Sequence, residues 1–148
     1  MEKSKYSLDL YSDQILSLAA GIPLMERLTP SDMTITKRSQ LCGSMVTVDV
    51  NMIQKIITDY SHDIKACALG QASASILATD IVGKTASQIT EVRDAVFKML
   101  NGSLYSLKIF PQYQVLLPAR EFKNRHESIM LCLDAAVEAI NAINANYD

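Results

Sequence analysis

The sequence predicts an α+β fold, a three-stranded antiparallel sheet with helices packed on one face. Three observations lead there. Three segments rich in β-branched residues follow one another between Met33 and Tyr60 with short links, the pattern of an antiparallel meander. Helical periodicity flanks them, before Gly21 and after Cys67. A sheet of this kind must cover one face, and the helices are there to cover it.

The elements follow in order. Leu8, Tyr11, Ile15, Leu18 and Ala19 recur at helical spacing, so Ser7 to Ala20 is expected to be a helix that Gly21 and Pro23 end. Leu24 to Asp32 is a connection with Pro30 and Ser31 as turn formers. Met33 to Arg38, Met45 to Val50 and Lys55 to Tyr60 are the strands, with the second turn placed around Asn51. After Cys67, a helix sends Leu69, Ala72, Ile76, Leu77 and Ile81 inward until Gly83. Thr85 and Gln88 have the spacing of a capping box, and Ile89, Val92, Val96, Phe97 and Leu100 share one side of the helix they open. Asn101-Gly102 stops it. Tyr105 to Pro118 is expected to be a loop with at most a short helix. A long helix runs from about Glu121 to Ala145, with Ile129, Leu133, Ala136, Val137, Ile140 and Ile143 as its stripe.

The length of 148 residues suits one domain spanning residues 1–148. The net charge of −2 and the lack of a basic stripe leave no nucleic-acid footprint. No uninterrupted apolar run approaches the ~20 residues of a membrane span. Met1-Glu2-Lys3-Ser4-Lys5 leads into a polar-spotted segment and not into a signal-peptide core. A cytoplasmic location is therefore expected. The three cysteines, Cys42, Cys67 and Cys132, are too few and too scattered for a disulfide framework, and no CxxC pair is present.

Chemistry concentrates on two of these thiols. Cys67 precedes a run of very small residues at a helix start, where unpaired backbone N–H groups and the positive end of the macrodipole favour thiolate. A buried structural cysteine is the alternative at that position. Cys42 lies in Leu41-Cys42-Gly43-Ser44, where Gly43 permits a left-handed turn that presents the sulfur outward. In a meander, the first interstrand loop and the end of the third strand share an edge, so the two sulfurs are expected to converge. Two thiolates do not complete a tetrahedral zinc site or anchor a cluster. Further ligands must come from His126, Glu127, Ser44 or solvent. Cys132 falls on the apolar stripe of the last helix and is expected in the core. His126, in a charged segment, is a solvated histidine by default. His62 is expected at a strand end on the surface without a partner. No Ser/His/Asp triad, phosphate loop or dinucleotide fingerprint is present, so spacing alone identifies no enzyme.

Certain stretches resemble a known family. Tyr11-Ser12-Asp13-Gln14-Ile15-Leu16 is similar to the Tyr-Ser helix of the NifU/IscU/SufU-type iron–sulfur cluster scaffold proteins. Leu41-Cys42-Gly43-Ser44 is similar to their first cysteine loop. The run from Ala66 to Ser75, followed by Asp80-Ile81-Val82-Gly83-Lys84-Thr85, resembles their second cysteine motif and its Gly-Lys-Thr junction. The similarity extends from about Tyr11 to Ala142. It implies the scaffold fold, with cysteines at one end of the sheet that receive sulfur from a cysteine desulfurase. They hold a [2Fe–2S] cluster, iron or zinc, and pass the cluster to apo-proteins.

The chain departs from that pattern in two places. Ser44 stands where the family usually has an aspartate. Its third cysteine position falls on Glu127, with His126 on the preceding histidine, while Cys132 comes five residues later. A Cys42/Cys67/His126/Glu127 set suits zinc or ferrous iron better than a stable all-thiolate cluster. Two expectations follow. The first is a non-enzymatic scaffold or carrier using Cys42 and Cys67, with His126 and Glu127 or Ser44 completing the shell. The second is a zinc-binding sulfurtransferase partner of a desulfurase, or beyond that an interaction module with a vestigial site.

Overall fold

The computed structural model describes residues 11–147. Its elements are α1 (Asp13–Ala20), β1 (Met33–Arg38), β2 (Met45–Ile53), β3 (Ile56–Lys65), α2 (Ala68–Asp80), α3 (Ala86–Leu100), two 3₁₀ segments (Pro111–Glu121 and Lys123–Arg125) and α4 (His126–Tyr147). The strands form one antiparallel sheet in the order β1-β2-β3, as expected.

Alternation sorts the two sheet faces. Val46, Val48, Val50 and Met52 of β2 point into the core with Ile129, Leu133, Ala136 and Ile140 of α4. Apart from Ala136, each of these side chains contributes about 1.5–3 kcal/mol when fully buried. α4 packs on β1, β2, α2 and α3, and α1 packs on α2. By length and composition the segment Lys123–Asn146 would pass for a membrane span, with mean hydropathy 1.3. Here it is the central helix of the core.

The other sheet face is polar and holds a buried carboxylate. Asp49 is fully buried and accepts hydrogen bonds from Arg27 Nε at 2.6 Å and Nη2 at 3.0 Å. The Leu28 N–H, Thr34 Oγ1 and Ser61 Oγ also donate to it. It thereby straps the Leu24 to Asp32 connection across the sheet. Burial works to raise its pKa, but Arg27, Thr34 and the Leu28 N–H outweigh that and hold it below the usual carboxylate range.

Local chemistry explains most boundaries. Ser12 caps α1 through the Ile15 N–H. The Thr85–Gln88 capping box forms in both directions and opens α3. The predicted first turns of the earliest helix, residues 7–10, lie outside the described residues; Tyr11 is in a turn.

Three expectations are corrected. The hairpin turn is Gln54-Lys55, both with positive φ (51° and 66°), and not Asn51. That is the backbone a two-residue hairpin needs, achieved without the Asn-Gly signature. In consequence β3 runs to Lys65. His62 is therefore a mid-strand residue opposite Val48, 0% exposed, and not a surface residue at a strand end. Its Nε2 donates to the Pro23 carbonyl at 2.8 Å, and its ring packs against Tyr60 at 5.4 Å between centroids. Burial lowers its pKa, against the Pro23 hydrogen bond and the Asp63 charge. Phe97, expected inward, is 47% exposed and lies under the Arg93 guanidinium.

Candidate thiol site

The antiparallel register brings the two thiol segments together. Met45, first residue of β2, pairs with Lys65, last residue of β3. The loop ending at Ser44 and the step Ala66-Cys67 into α2 thus leave the sheet side by side, and α4 begins over the same edge.

The first loop is tied at its base. The Ser39 N–H donates to the Ser44 carbonyl at 2.8 Å, and Gly43 takes the left-handed φ of 71°. That turn leaves Cys42 exposed, as its sequence context predicts. The Ser39 hydroxyl lies 3.2 Å from the Cys42 sulfur and the Ser44 hydroxyl 2.9 Å. Those hydroxyls, Ser39 first, lower the Cys42 pKa, against burial and the nearby Glu127 charge.

Cys67 is half-buried and is the N-cap residue of α2, in extended conformation. Its side chain makes no capping hydrogen bond. Burial raises its pKa. The Ser128 hydroxyl, the N–H groups of Gly70 and Leu69 and the Arg125 charge outweigh that and leave the thiol below its ordinary value. The shift has the direction expected of a thiol at a helix start.

Ser128 links the two halves. Its hydroxyl is 3.4 Å from Cys67 Sγ and 3.5 Å from Ser44 Oγ. Ser128 is 3% exposed and Ser44 5%. The sequence points to neither Ser128 nor Ser39 as site residues. Two signals bear on Ser128: its place in the first turn of α4, and Gly70 on the facing helix. A Cβ on Gly70 would stand 2.5 Å from Ser128 Oγ.

The Cys42/Cys67/His126/Glu127 ligand set is not assembled. Among the described residues, no three His, Cys, Asp or Glu side chains are placed to share an ion. His126 Nε2 lies 3.0 Å from the Ala119 carbonyl and 3.2 Å from that of Arg120. Carbonyls only accept, so this nitrogen carries the proton and is committed to the 3₁₀ segment. Glu127 Oε1 accepts from the Gln40 N–H at 2.8 Å and braces the Cys42 loop. Both residues also line a groove of about 240 Å³ between α3 and α4. Cys132 is 2% exposed, and burial pushes its thiol up to about 11. It belongs to the core, as its position on the stripe predicts.

No protein-family model matches the chain. Over 135 residues, 91% of this chain and 95% of the relative, it is 20% identical to the iron–sulfur cluster assembly scaffold protein IscU of Thermotoga maritima. The crystal structure of a nitrogen-fixing NifU-like protein (N-terminal) from Brucella abortus matches at a TM-score of 0.91 with 36% identity. That match covers 95% of this chain and 98% of that one. A scaffold protein assigned to the SUF system of Fervidobacterium islandicum matches at 0.84 with 19% identity, over 90% and 98% of the two chains. This last likeness concerns the fold alone.

Proposed function

The chain belongs to the NifU/IscU/SufU family of iron–sulfur cluster scaffold proteins, and from that premise we propose that it carries iron–sulfur cargo between Cys42 and Cys67. One observation carries the reading. Two sulfurs 25 positions apart in sequence are tied to one short chain of hydroxyls, Cys42–Ser44–Ser128–Cys67, with steps of 2.9, 3.5 and 3.4 Å. Cys42 is open to solvent and Cys67 half-open, so an ion or sulfide can enter and leave from one side.

The donor set fits a labile cargo. Two thiolates with oxygen neighbours suit ferrous iron, zinc or a [2Fe–2S] unit whose remaining positions are filled by oxygen donors. A cysteine desulfurase is the sulfur source in this reading, and apo-proteins are the acceptors. The chain itself catalyses no turnover.

A second reading has its own support in Cys42. An exposed thiol with a lowered pKa is a competent acceptor of sulfane sulfur. Its thiolate would attack the outer sulfur of the desulfurase persulfide. The partner's S–S bond breaks, the desulfurase thiolate leaves, and Cys42 holds the new persulfide.

Anaerobic reconstitution with iron and sulfide tests the first reading. Visible absorption and stoichiometric iron are expected in the wild type and lost in Cys42→Ala and Cys67→Ala. A wild type without metal or chromophore overturns it. A persulfide on Cys42 after incubation with desulfurase and cysteine, without iron uptake, selects the second.

A further inference from the structure

The thiol end of the sheet carries a charge pattern that the sulfur chemistry does not use. The segments that meet there, 37–44, 65–67 and 120–128, hold six lysines and arginines against two glutamates. That is a surplus of four positive charges in a chain whose net charge is −2. The cations come from separate segments and meet only in the fold, so the sequence shows no basic stripe. Two of the six are neutralised in place: Lys37 pairs with Glu138 at 2.9 Å, and Arg120 lies 3.9 Å from Glu121. Glu127 is taken up by the Gln40 N–H. Arg38, Lys65, Lys123 and Arg125 make no ion pair among the described residues.

The strand register places two of these four. Arg38 pairs with Met45, and Met45 with Lys65. Directly opposed residues point to the same side of a sheet, so the row Arg38–Met45–Lys65 crosses the polar face at its last rung. Its two charges stand on strands about 10 Å apart. Arg125 is close enough to act on Cys67 electrostatically, and Lys123 is exposed on the 3₁₀ turn just before it. Both α2 and α4 start at this end, and the positive ends of their dipoles add to the field.

Apolar surface lies among these charges. Leu41, next to Cys42, is 74% exposed, and Met45 is half-buried between the two sheet cations. An apolar centre with a charged rim is the anatomy of a protein-docking patch. A nucleic-acid track calls for cations in a stripe and has no use for an exposed leucine.

We propose that this end of the molecule docks a protein partner, with Leu41 as the apolar anchor and Arg38, Lys65, Lys123 and Arg125 as the cationic rim. The matching surface on the partner is an apolar cleft bordered by aspartate and glutamate side chains. Leu41 and Cys42 are adjacent, so seating the leucine brings the exposed thiol against the partner. The docked protein is therefore the one that exchanges sulfur or cargo with Cys42. The assignment rests on the carrier reading and deepens it by giving the surface chemistry of that partner. Rim charges of this kind act on encounter rate and register more than on affinity, which suits a partner that must leave after exchange.

Stopped-flow binding to a purified cysteine desulfurase tests the assignment. Association of the wild type is expected to slow at least about tenfold as salt rises from about 50 to about 500 mM. Arg38→Glu/Lys65→Glu is expected to slow association at low salt at least about tenfold and to flatten the salt dependence. Leu41→Ala is expected to raise the dissociation rate about fivefold with little change in association. Lys98→Glu, a reversal at an exposed position of α3, is expected to leave both rates unchanged. If the double glutamate variant fails to fold by circular dichroism, Arg38→Gln/Lys65→Gln carries the test in the same direction. An unchanged association rate in the rim variant overturns the proposal. So does an equal loss in Lys98→Glu, which reduces the effect to net charge, or a duplex oligonucleotide that binds in place of the desulfurase. A wild type that binds no desulfurase removes the sulfur source of the carrier reading and the docking assignment with it. That failure is told apart from a complex that forms without regard to the rim.

Discussion

Gly70 and Ser128 face each other so closely that a methyl group on the first would stand 2.5 Å from the hydroxyl oxygen of the second. Ala66 Cβ, at 2.8 Å, closes the same space. Gly70→Ala gains up to ~1 kcal/mol of helix propensity but incurs an overpacking cost of about 1–3 kcal/mol. A net loss of stability is expected, read as a lower midpoint in chemical denaturation. Adding Ser128→Ala removes one of the two collisions and is expected to restore part of the loss, giving a measurable coupling between the sites. Strict additivity in that cycle contradicts the contact.

Asp49 is the second place where one substitution acts on a whole segment. Asp49→Ala removes the acceptor shared by Arg27, Leu28, Thr34 and Ser61. A loss of about 2–4 kcal/mol is expected. The pH dependence has a definite sign. A carboxylate whose folded pKa lies below its unfolded value of about 3.9 stabilises the fold above that value. That contribution disappears as pH falls through the folded pKa. Denaturation curves at pH 7 and pH 3 are expected to separate more for the wild type than for Asp49→Asn.

Cys132 governs the alkaline side. Its thiol is raised to about 11 in the folded protein, so the unfolded chain loses this proton first as pH rises. Stability is then expected to fall above about pH 9, by up to about 1.4 kcal/mol per pH unit. Tyr60 and Tyr113, also raised by burial, join from about pH 10. Cys132→Ala is expected to be less stable at pH 7, through lost packing, yet to show a flatter curve between pH 9 and 10. Equal slopes in the two proteins would refute this assignment.

The Thr85–Gln88 box gives a local prediction. Thr85→Ala removes the acceptor of the Gln88 N–H, and the Thr85 N–H retains its bond to Gln88. A cost of about 1 kcal/mol is expected, with faster amide exchange confined to the first turn of α3.

Much of this arrangement is legible in the sequence because it rests on local rules. β1 is bounded by its own alternation, α3 by its capping box, and Cys132 is assigned to the core by its place on a stripe. The convergence of Cys42 and Cys67 is legible too, since a meander dictates which chain ends meet. The failures have separate causes. Gln54-Lys55 adopts a turn that its residue types do not advertise, so β3 is read too short and His62 is sent to the surface. His126 and Glu127 are placed by alignment with cysteine and histidine positions, but what they touch depends on the 3₁₀ segment and the Gln40 loop. Ser128 escapes notice because a serine in a helix carries no signal until the facing Gly70 shows what the space is for.

α4 forms the centre of the core and also carries Ser128, while Cys67 stands at the start of the buried helix α2 beside it. One jaw of the thiol site is thus as stiff as the protein's interior. The other jaw, Ser39 to Ser44, hangs from a six-residue turn braced by Glu127. On the proposed carrier reading, differences in cargo size are absorbed on the Cys42 side, which makes that turn the adjustable half of the grip.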